Sequence, residues 1–564
     1  MRFSARACHC QEEAQNYGSF PGVAQLAIRA ASHLKMYTPT FERRMFFDAF
    51  TLKSAKVLLP CVAAGFAIFF LTNQNVLLAA GALTIMGILG LMLRWPEMGT
   101  LVVLFAIYSN IGVLAMRPQT AIQASAGSAD QNPRIIIVLA AMGLFLSLSL
   151  VHQLLIRKGK LIFDCGFILL SAFLVALLMS SLFALDGRLA GARVADYLVE
   201  GLVPYFLLIN VIRDFSTLRR ATWALLLAGS LMGGFTLYQR ATHTEDRIYG
   251  GLAQMGTDVT LTASGQERSL RPLGTVAGRG GAEGQLRAAG PIGETNRYGQ
   301  ILLVLLPFAA LTFRTERTRT LRMFGLVAGG LILGGLLLTF SRGAFLTGVV
   351  LLGMMTSMRL VKPRHVLASG LGVSVLIAAF APAVVTRMAT LEDLKSLIFH
   401  TDYTYRAPDS SAIHRYVLNL ATWHVFLDHP IFGAGPGHFA EYYSVPYANR
   451  VGLIETTKKY MGHNLYLETL AETGVIGLAC LLAIFFVIMH ELWKERRLWM
   501  QSNPEIASWA TAFFLCLCAY AISAVFAHLS YQRYFWVLVA LSSAAVRIIR
   551  SMREEQEMPF LNQG

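Results

Sequence analysis

The sequence predicts an all-α protein that crosses a membrane many times, and three observations carry that prediction. Only 14% of the 564 residues are charged and 55% are hydrophobic, whereas a soluble domain carries roughly 25% charged residues. Continuous apolar runs of about 20 residues, enough to cross roughly 30 Å of hydrocarbon, recur along most of the chain. These runs do not alternate with period two, which argues against a β-barrel.

Taken in order, residues 1–55 are a mixed polar leader without a short apolar core or cleavage site, expected to stay in the cytoplasm with an interfacial helix near 41–52. Its Cys8-His9-Cys10 triplet is too tightly spaced for a metal site and has no second pair. Spans are expected at 56–72, 75–93, 99–116, 135–155, 161–184, 194–211 and 220–238, forming an N-terminal block 56–238. A first long loop, 239–297, separates them from a central block, 298–384, with spans at 298–313, 323–340, 343–358 and 366–384. A larger loop, 385–470, leads to a C-terminal block, 471–550, with spans at 471–490, 507–528 and 532–548, and a tail, 551–564. The expected total is twelve to fourteen helices.

Orientation follows from the Lys and Arg residues, which favour the cytoplasmic side. Arg157-Lys158, Arg219-Arg220, Arg314 to Arg322, Arg359 to Arg364, Lys494 to Arg497 and Arg547 to Arg553 all fall on the leader's side of the predicted topology. The long loops fall on the other side and are each neutral: 239–296 has six Arg against six acids, and 386–465 has seven bases against seven acids. Both termini are therefore expected inside and both long loops outside. The pI of about 9.6 then reflects anchoring beside anionic lipid and calls for no nucleic acid. Neither long loop contains a cysteine, so no disulfide is expected there.

Ionisable groups avoid the middles of the spans and gather at their outer ends. A coupled transporter would more often place them at mid-depth on broken helices. Near hydrocarbon, such a cluster marks a functional site. Four constellations stand out. Arg287-Ala288-Ala289-Gly290-Pro291-Ile292-Gly293-Glu294-Thr295-Asn296-Arg297 closes the first long loop. Its guanidinium forks suit phosphate oxygens, or simply snorkel to the interface, and Asn296 can cap the helix that begins there. Thr339-Phe340-Ser341-Arg342-Gly343-Ala344 forms a tight outer turn, with Gly343 expected to allow the reversal. In the second loop, Arg415 to Phe426 reads as an amphipathic helix lying on the membrane. After it come Asp428-His429-Pro430 and Gly433-Ala434-Gly435-Pro436-Gly437-His438, whose backbone N–H groups can cradle an anion. His414, His429 and His438 read as loop surface. Finally, Gly462-His463-Asn464-Leu465-Tyr466-Leu467-Glu468 runs on to Glu472, Gly474 and Gly477. It places an imidazole and an amide at a helix N-terminus with two carboxylates on one face, and the glycines are expected to permit close helix packing.

The pattern His463-Asn464-x-x-Leu467 through Glu472-x-Gly474-x-x-Gly477 resembles the signature of the O-antigen ligase and polymerase superfamily of bacterial envelope proteins. Asp428-His429-Pro430-x-x-Gly433-x-Gly435, Ser341-Arg342-Gly343-Ala344 and Gly293-x-x-Asn296 occur in the same order as in that family. The resemblance covers about 195–550; the earlier spans match only by being helical.

The resemblance implies a fold of the lipid-linked glycosyltransferase type, with one large, partly helical periplasmic loop, in the bacterial inner membrane. It also implies transfer of a glycan from an undecaprenyl-diphosphate carrier to lipid A-core, a growing polysaccharide or a protein. No cofactor, nucleotide sugar or metal is implied. Carried over residue by residue, it suggests His463, Arg415 and Arg342 as catalytic, and Arg287, Asn296, Asn464 and Glu472 as substrate-binding. The leader and the enlarged first loop lean toward an O-antigen or exopolysaccharide polymerase. A lipid-linked glycan flippase is the alternative class. It would require charges at mid-depth on both halves, and few are present.

Overall fold

The computed structural model describes residues 97–111, 143–244 with gaps, short stretches between 249 and 272, 287–380, 410–527 without 453–455 and 458, and 533–561. The chain divides into two compact units, 1–91 and 92–564, and every described residue belongs to the second. The leader with Cys8-His9-Cys10, the spans expected at 56–72 and 75–93 and most of 135–155 lie outside the described residues, as does 381–409.

The protein is an all-α polytopic membrane protein. Among the described residues, seven helical stretches are long and apolar enough to cross a membrane: Gly187–Val211, Phe215–Ala241, Thr295–Thr315, Arg319–Leu338, Leu465–Ser502, Pro504–Phe526 and Arg533–Glu557. Glu97–Ser109, Cys165–Ser181 and Arg342–Ser357 are shorter apolar helices. The only strands among the described residues are Thr257–Val259 and Leu270–Pro272 of the first long loop, paired antiparallel.

Local chemistry sets the helix starts. Asp164, Asp186, Asp214, Ser341, Asn464 and Asn503 each occupy an N-cap and accept backbone N–H groups of the first turn, satisfying donors that have no partner within the helix. Proline accounts for two interruptions. Pro204 has no N–H for the carbonyl of Glu200, and the chain widens into a π turn over Leu198–Leu202 before resuming at Val203–Val211. Pro307 likewise follows the break between Thr295–Val304 and Leu306–Thr315.

The main core is largely aliphatic and is filled out by large aromatic side chains, with Tyr108, Tyr205, Phe308, Phe513, Phe535 and Trp536 fully buried. Phe215–Ala241 and Arg319–Leu338 cross with their backbones in contact: a Cβ on Gly335 would lie 2.7 Å from the Cα of Gly233. The long helices run between two ends of the bundle. One end, here called the ion-pair end, carries Arg219 with Glu316 and Arg550 with Glu495. The other, the loop end, carries the starts of Arg342–Ser357, Leu465–Ser502 and Arg533–Leu561. Above it sits a cap with a small core of its own, in which helix Ser410–Asp428 buries Val417, Leu418, Ala421 and Val425 against Ala434, Phe439, Ala448 and Ala471. That helix contains the amphipathic segment expected at Arg415 to Phe426, but its apolar face packs on the core of the cap and not on a membrane surface as expected.

Candidate active site

At the loop end, Arg287 reaches across to the turn that follows Arg319–Leu338. Its Nε donates to the carbonyl of Thr339 at 2.9 Å and an Nη to Oδ1 of Asn296 at 3.2 Å. Ser341 Oγ donates to the same Oδ1 at 3.0 Å, and the Ala288 N–H donates to the carbonyl of Leu338 at 2.9 Å. Asn296 therefore does not cap its helix. Glu294 occupies the cap position without a side-chain bond, and the amide of Asn296 joins Arg287 to the Ser341-Arg342 turn instead. Neither does Gly343 make the reversal. Phe340 takes the left-handed conformation, with φ +49°, while Gly343 lies inside the helix and abuts Phe526, whose Cβ would be 3.0 Å from an added methyl. Next in the chain, Arg297 is buried and pairs with Glu294 at 3.3 Å.

His463 precedes the Leu465–Ser502 helix. Asn464 caps that helix, accepting from the N–H groups of Tyr466 and Leu467 at 3.0 and 3.2 Å. His463 itself has φ +52°, which turns the chain sharply into the cap. Tyr466 donates to the carbonyl of Ala521 at 2.8 Å. The turns carrying Arg342 and His463 thus adjoin the same helix end, Ala521 to Phe526, and this brings the second and fourth constellations to one helix end. Glu468 is buried one turn on.

Arg415 comes from the cap. A Cβ on Gly462 would lie 3.1 Å from Oγ1 of Thr422, so that face of the cap helix looks onto the turn carrying His463. Arg415 shares the face seven residues earlier, about 10 Å along the axis.

The remaining signature residues build a joint between cap and membrane helix. The backbone of Leu465–Ser502 breaks at Gly474, with φ +65° and ψ −169°. In an unbroken helix the Val475 N–H would bond the carbonyl of Ala471. Here it donates to Pro430 at 2.9 Å, and the freed carbonyls of Ala471 and Glu472 accept the N–H groups of Ala434 and Gly435 at 2.9 and 3.0 Å. Ser180 Oγ adds a third donor to this pair of carbonyls, at 2.6 Å from that of Glu472. Gly433 and Gly474 both have positive φ, and a Cβ on either would overlap backbone atoms of the opposing segment. Gly474 therefore permits a crossing of loop and helix, and not the helix–helix packing expected from its spacing. Gly477 faces the Thr473 side chain of its own helix.

The loop expected to cradle an anion does so, with an anion from the chain itself. Glu472 is buried, and its carboxylate accepts from the N–H groups of Gly437 at 2.8 Å and Phe439 at 3.3 Å. Phe432 stacks on Phe183 at 5.0 Å and fastens the loop to the end of Cys165–Ser181. His438 is fully buried, contrary to its expected surface position. Its Nε2 accepts the Asp186 N–H at 3.0 Å, which leaves the proton on Nδ1 facing the carbonyl of Pro436 at 3.1 Å. The backbone N–H groups of Arg188 and Leu189 hold the Asp186 carboxyl below its usual range. His429 lies against Tyr443 and His414 edge-on to Tyr460. Ser180, Thr422 and Asp186 carry no motif that singles them out in the sequence; only their contacts reveal them.

Comparison with known proteins finds a match in the part of the chain that holds much of this site. The family model for O-antigen ligase (Wzy_C) matches residues 327–482. The match includes Arg342, Arg415, His463, Asn464 and Glu472 and begins after Arg287 and Asn296. No curated protein matches the chain. The match over residues 327–482 supports the resemblance of this part of the chain to the O-antigen ligase and polymerase superfamily.

Proposed function

We propose that this glycan transferase acts at the periplasmic face of the inner membrane, moving a glycan from an undecaprenyl-diphosphate carrier to an acceptor hydroxyl. The observation that carries the reading is the convergence of the Arg287–Asn296–Ser341–Arg342 corner and the His463 turn on the Ala521–Phe526 helix end, beneath a cap that contributes Arg415.

The acceptor oxygen attacks the anomeric carbon, and the bond from that carbon to the diphosphate oxygen breaks, its electron pair leaving with the diphosphate. His463 takes the hydroxyl proton as the new bond forms. Arg342 and Arg415, with Arg287 behind them, bind the departing diphosphate. Charge-assisted bonds of this kind strengthen as its negative charge develops, and so they lower the barrier. Asn464 contributes through the helix start it caps, since the cap orients the backbone beside His463.

His463→Ala and Arg415→Ala are each expected to lower transfer from lipid-linked glycan by roughly 10²- to 10⁴-fold, with insertion and melting unchanged. The check is polymer banding from cells together with transfer by the purified proteins on a defined undecaprenyl-linked donor. Wild-type banding in both variants would remove the catalytic assignment.

A further inference from the structure

We infer that Glu472 is a positioning residue: by gripping the Gly437–Phe439 backbone it sets the cap that carries Arg415 against the helix that carries His463. The inference rests on the transfer reading above.

Glu472 is 7% exposed, and both of its carboxylate oxygens have backbone N–H partners in the loop. It is thus turned into the joint, away from the turn that carries His463. The gripped loop continues directly from the cap helix Ser410–Asp428, whose Thr422 face meets Gly462. Glu472 itself stands nine residues after His463 on the opposing helix. One side chain therefore bridges the two chain segments that supply Arg415 and His463, which are 48 positions apart. The backbone rungs at Pro430, Ala434 and Gly435 fix the crossing point of the segments. The carboxylate lies further along the loop, at its return toward the Phe439 core, and adds a second point of attachment. Two points of attachment fix an angle where one allows a pivot. Arg193 covers the joint from a third element, its Cγ and Nε each 2.8 Å from where a Cβ on Gly437 would lie. An error of 1 Å in the placement of a reacting group costs about a hundredfold in rate, so loosening this angle reads out in turnover and leaves donor binding alone.

The test compares wild-type and Glu472→Gln proteins in the full-length chain. Gln keeps the shape but presents an amide donor to one of the two N–H groups. Amide hydrogen exchange at Gly437 and Phe439 is expected to quicken roughly tenfold. Turnover is expected to fall about a hundredfold while KM for an undecaprenyl-diphosphate-linked glycan stays within about twofold. Glu472→Asp keeps the charge but withdraws it by one methylene; it is expected to fall between the two, and it carries the same test if the Gln protein does not fold. Unchanged exchange at Gly437 and Phe439 overturns the grip. Wild-type turnover despite faster exchange overturns the positioning role. A raised KM at wild-type turnover overturns it too, by placing the carboxylate on substrate. A wild-type protein with no transfer activity would overturn the parent reading, a different result because the exchange comparison needs no turnover.

Discussion

The two ends of the helix bundle use the same residue types for different ends. At the ion-pair end, glutamates collect guanidinium groups. Glu316 accepts from Arg219 Nε at 2.9 Å and from Trp223 at 2.9 Å, Glu97 from Arg220 at 3.0 Å and Thr217 at 2.7 Å, and Glu495 from Arg553 at 3.3 Å and Arg550 at 3.4 Å. At the loop end, the buried or capping acids Glu472 and Asp186 accept backbone N–H groups, while Arg287 donates to the Thr339 carbonyl and the Asn296 amide. The difference teaches what each end is for. Side-chain pairs at the ion-pair end tie helix to helix. At the loop end Glu294 also pairs with Arg297, but Glu472 and Asp186 hold backbone N–H groups and so shape the segments on which the proposed transfer residues Arg342, Arg415 and His463 are carried.

The largest effect expected from breaking this contrast lies in the joint. Gly474→Ala would drive a methyl into the carbonyl of Ile431 and force a left-handed φ on a non-glycine residue. The expected loss exceeds about 4 kcal/mol, the range of gross backbone conflict, and appears as failure of the cap to dock in thermal melts and proteolysis. A melt within a degree of wild type would show that the crossing of loop and helix is not as described.

The ion-pair end should respond differently. Glu495 is completely buried between Arg550 and Arg553, and Glu495→Gln leaves both cations without that carboxylate. The arginines are partly exposed, so water softens the loss, and about 2 kcal/mol of stability is expected to go. Transfer per folded molecule should be unchanged. A drop in turnover at equal folded fraction would mean that the two ends are coupled and would blunt the contrast.

Much of the loop end was legible in the sequence, and what was not has a common cause. The helix start near Leu465, the amphipathic segment within Ser410–Asp428 and the turn before Arg342 follow from local patterns of side-chain size and polarity. Other features did not come through, among them the burial of His438. Asn296 reads as a cap because a short polar residue before an apolar run usually is one, yet its amide binds Arg287 and Ser341. Gly343 reads as the turn residue, yet Phe340 bears the positive φ. Gly474 reads as a packing glycine, and the Gly433–Gly437 loop as a cradle for a foreign anion. For Asn296, Gly474 and the Gly433–Gly437 loop the deciding partner is a residue elsewhere in the chain, often only its backbone, and backbone groups are the same at every position. A Glu472 carboxylate meeting the N–H groups of Gly437 and Phe439, more than thirty residues away, leaves no trace in spacing.

The smallest expected effect concerns acid within the cap. His414 is half-buried with its ring edge-on to Tyr460 at 4.2 Å, and burial lowers its pKa. Folding therefore favours the neutral imidazole. For a group whose folded pKa is depressed, the stabilising contribution is complete above the unfolded value of about 6.5 and is lost as pH falls through the folded value. The cap should consequently loosen on mild acidification, by less than either substitution above costs. Melting of the wild-type protein from pH 8 to pH 5 should show a small downward step that His414→Gln removes, because Gln carries no titrating proton. The step belongs to folding, so it should appear equally in the His463→Ala protein, where transfer is absent. If His414→Gln kept the step, the proton would be acting elsewhere in the cap. If the step vanished in His463→Ala, its origin would lie at the site of transfer, and acid sensitivity would then distinguish the loop end by its chemistry instead of its packing.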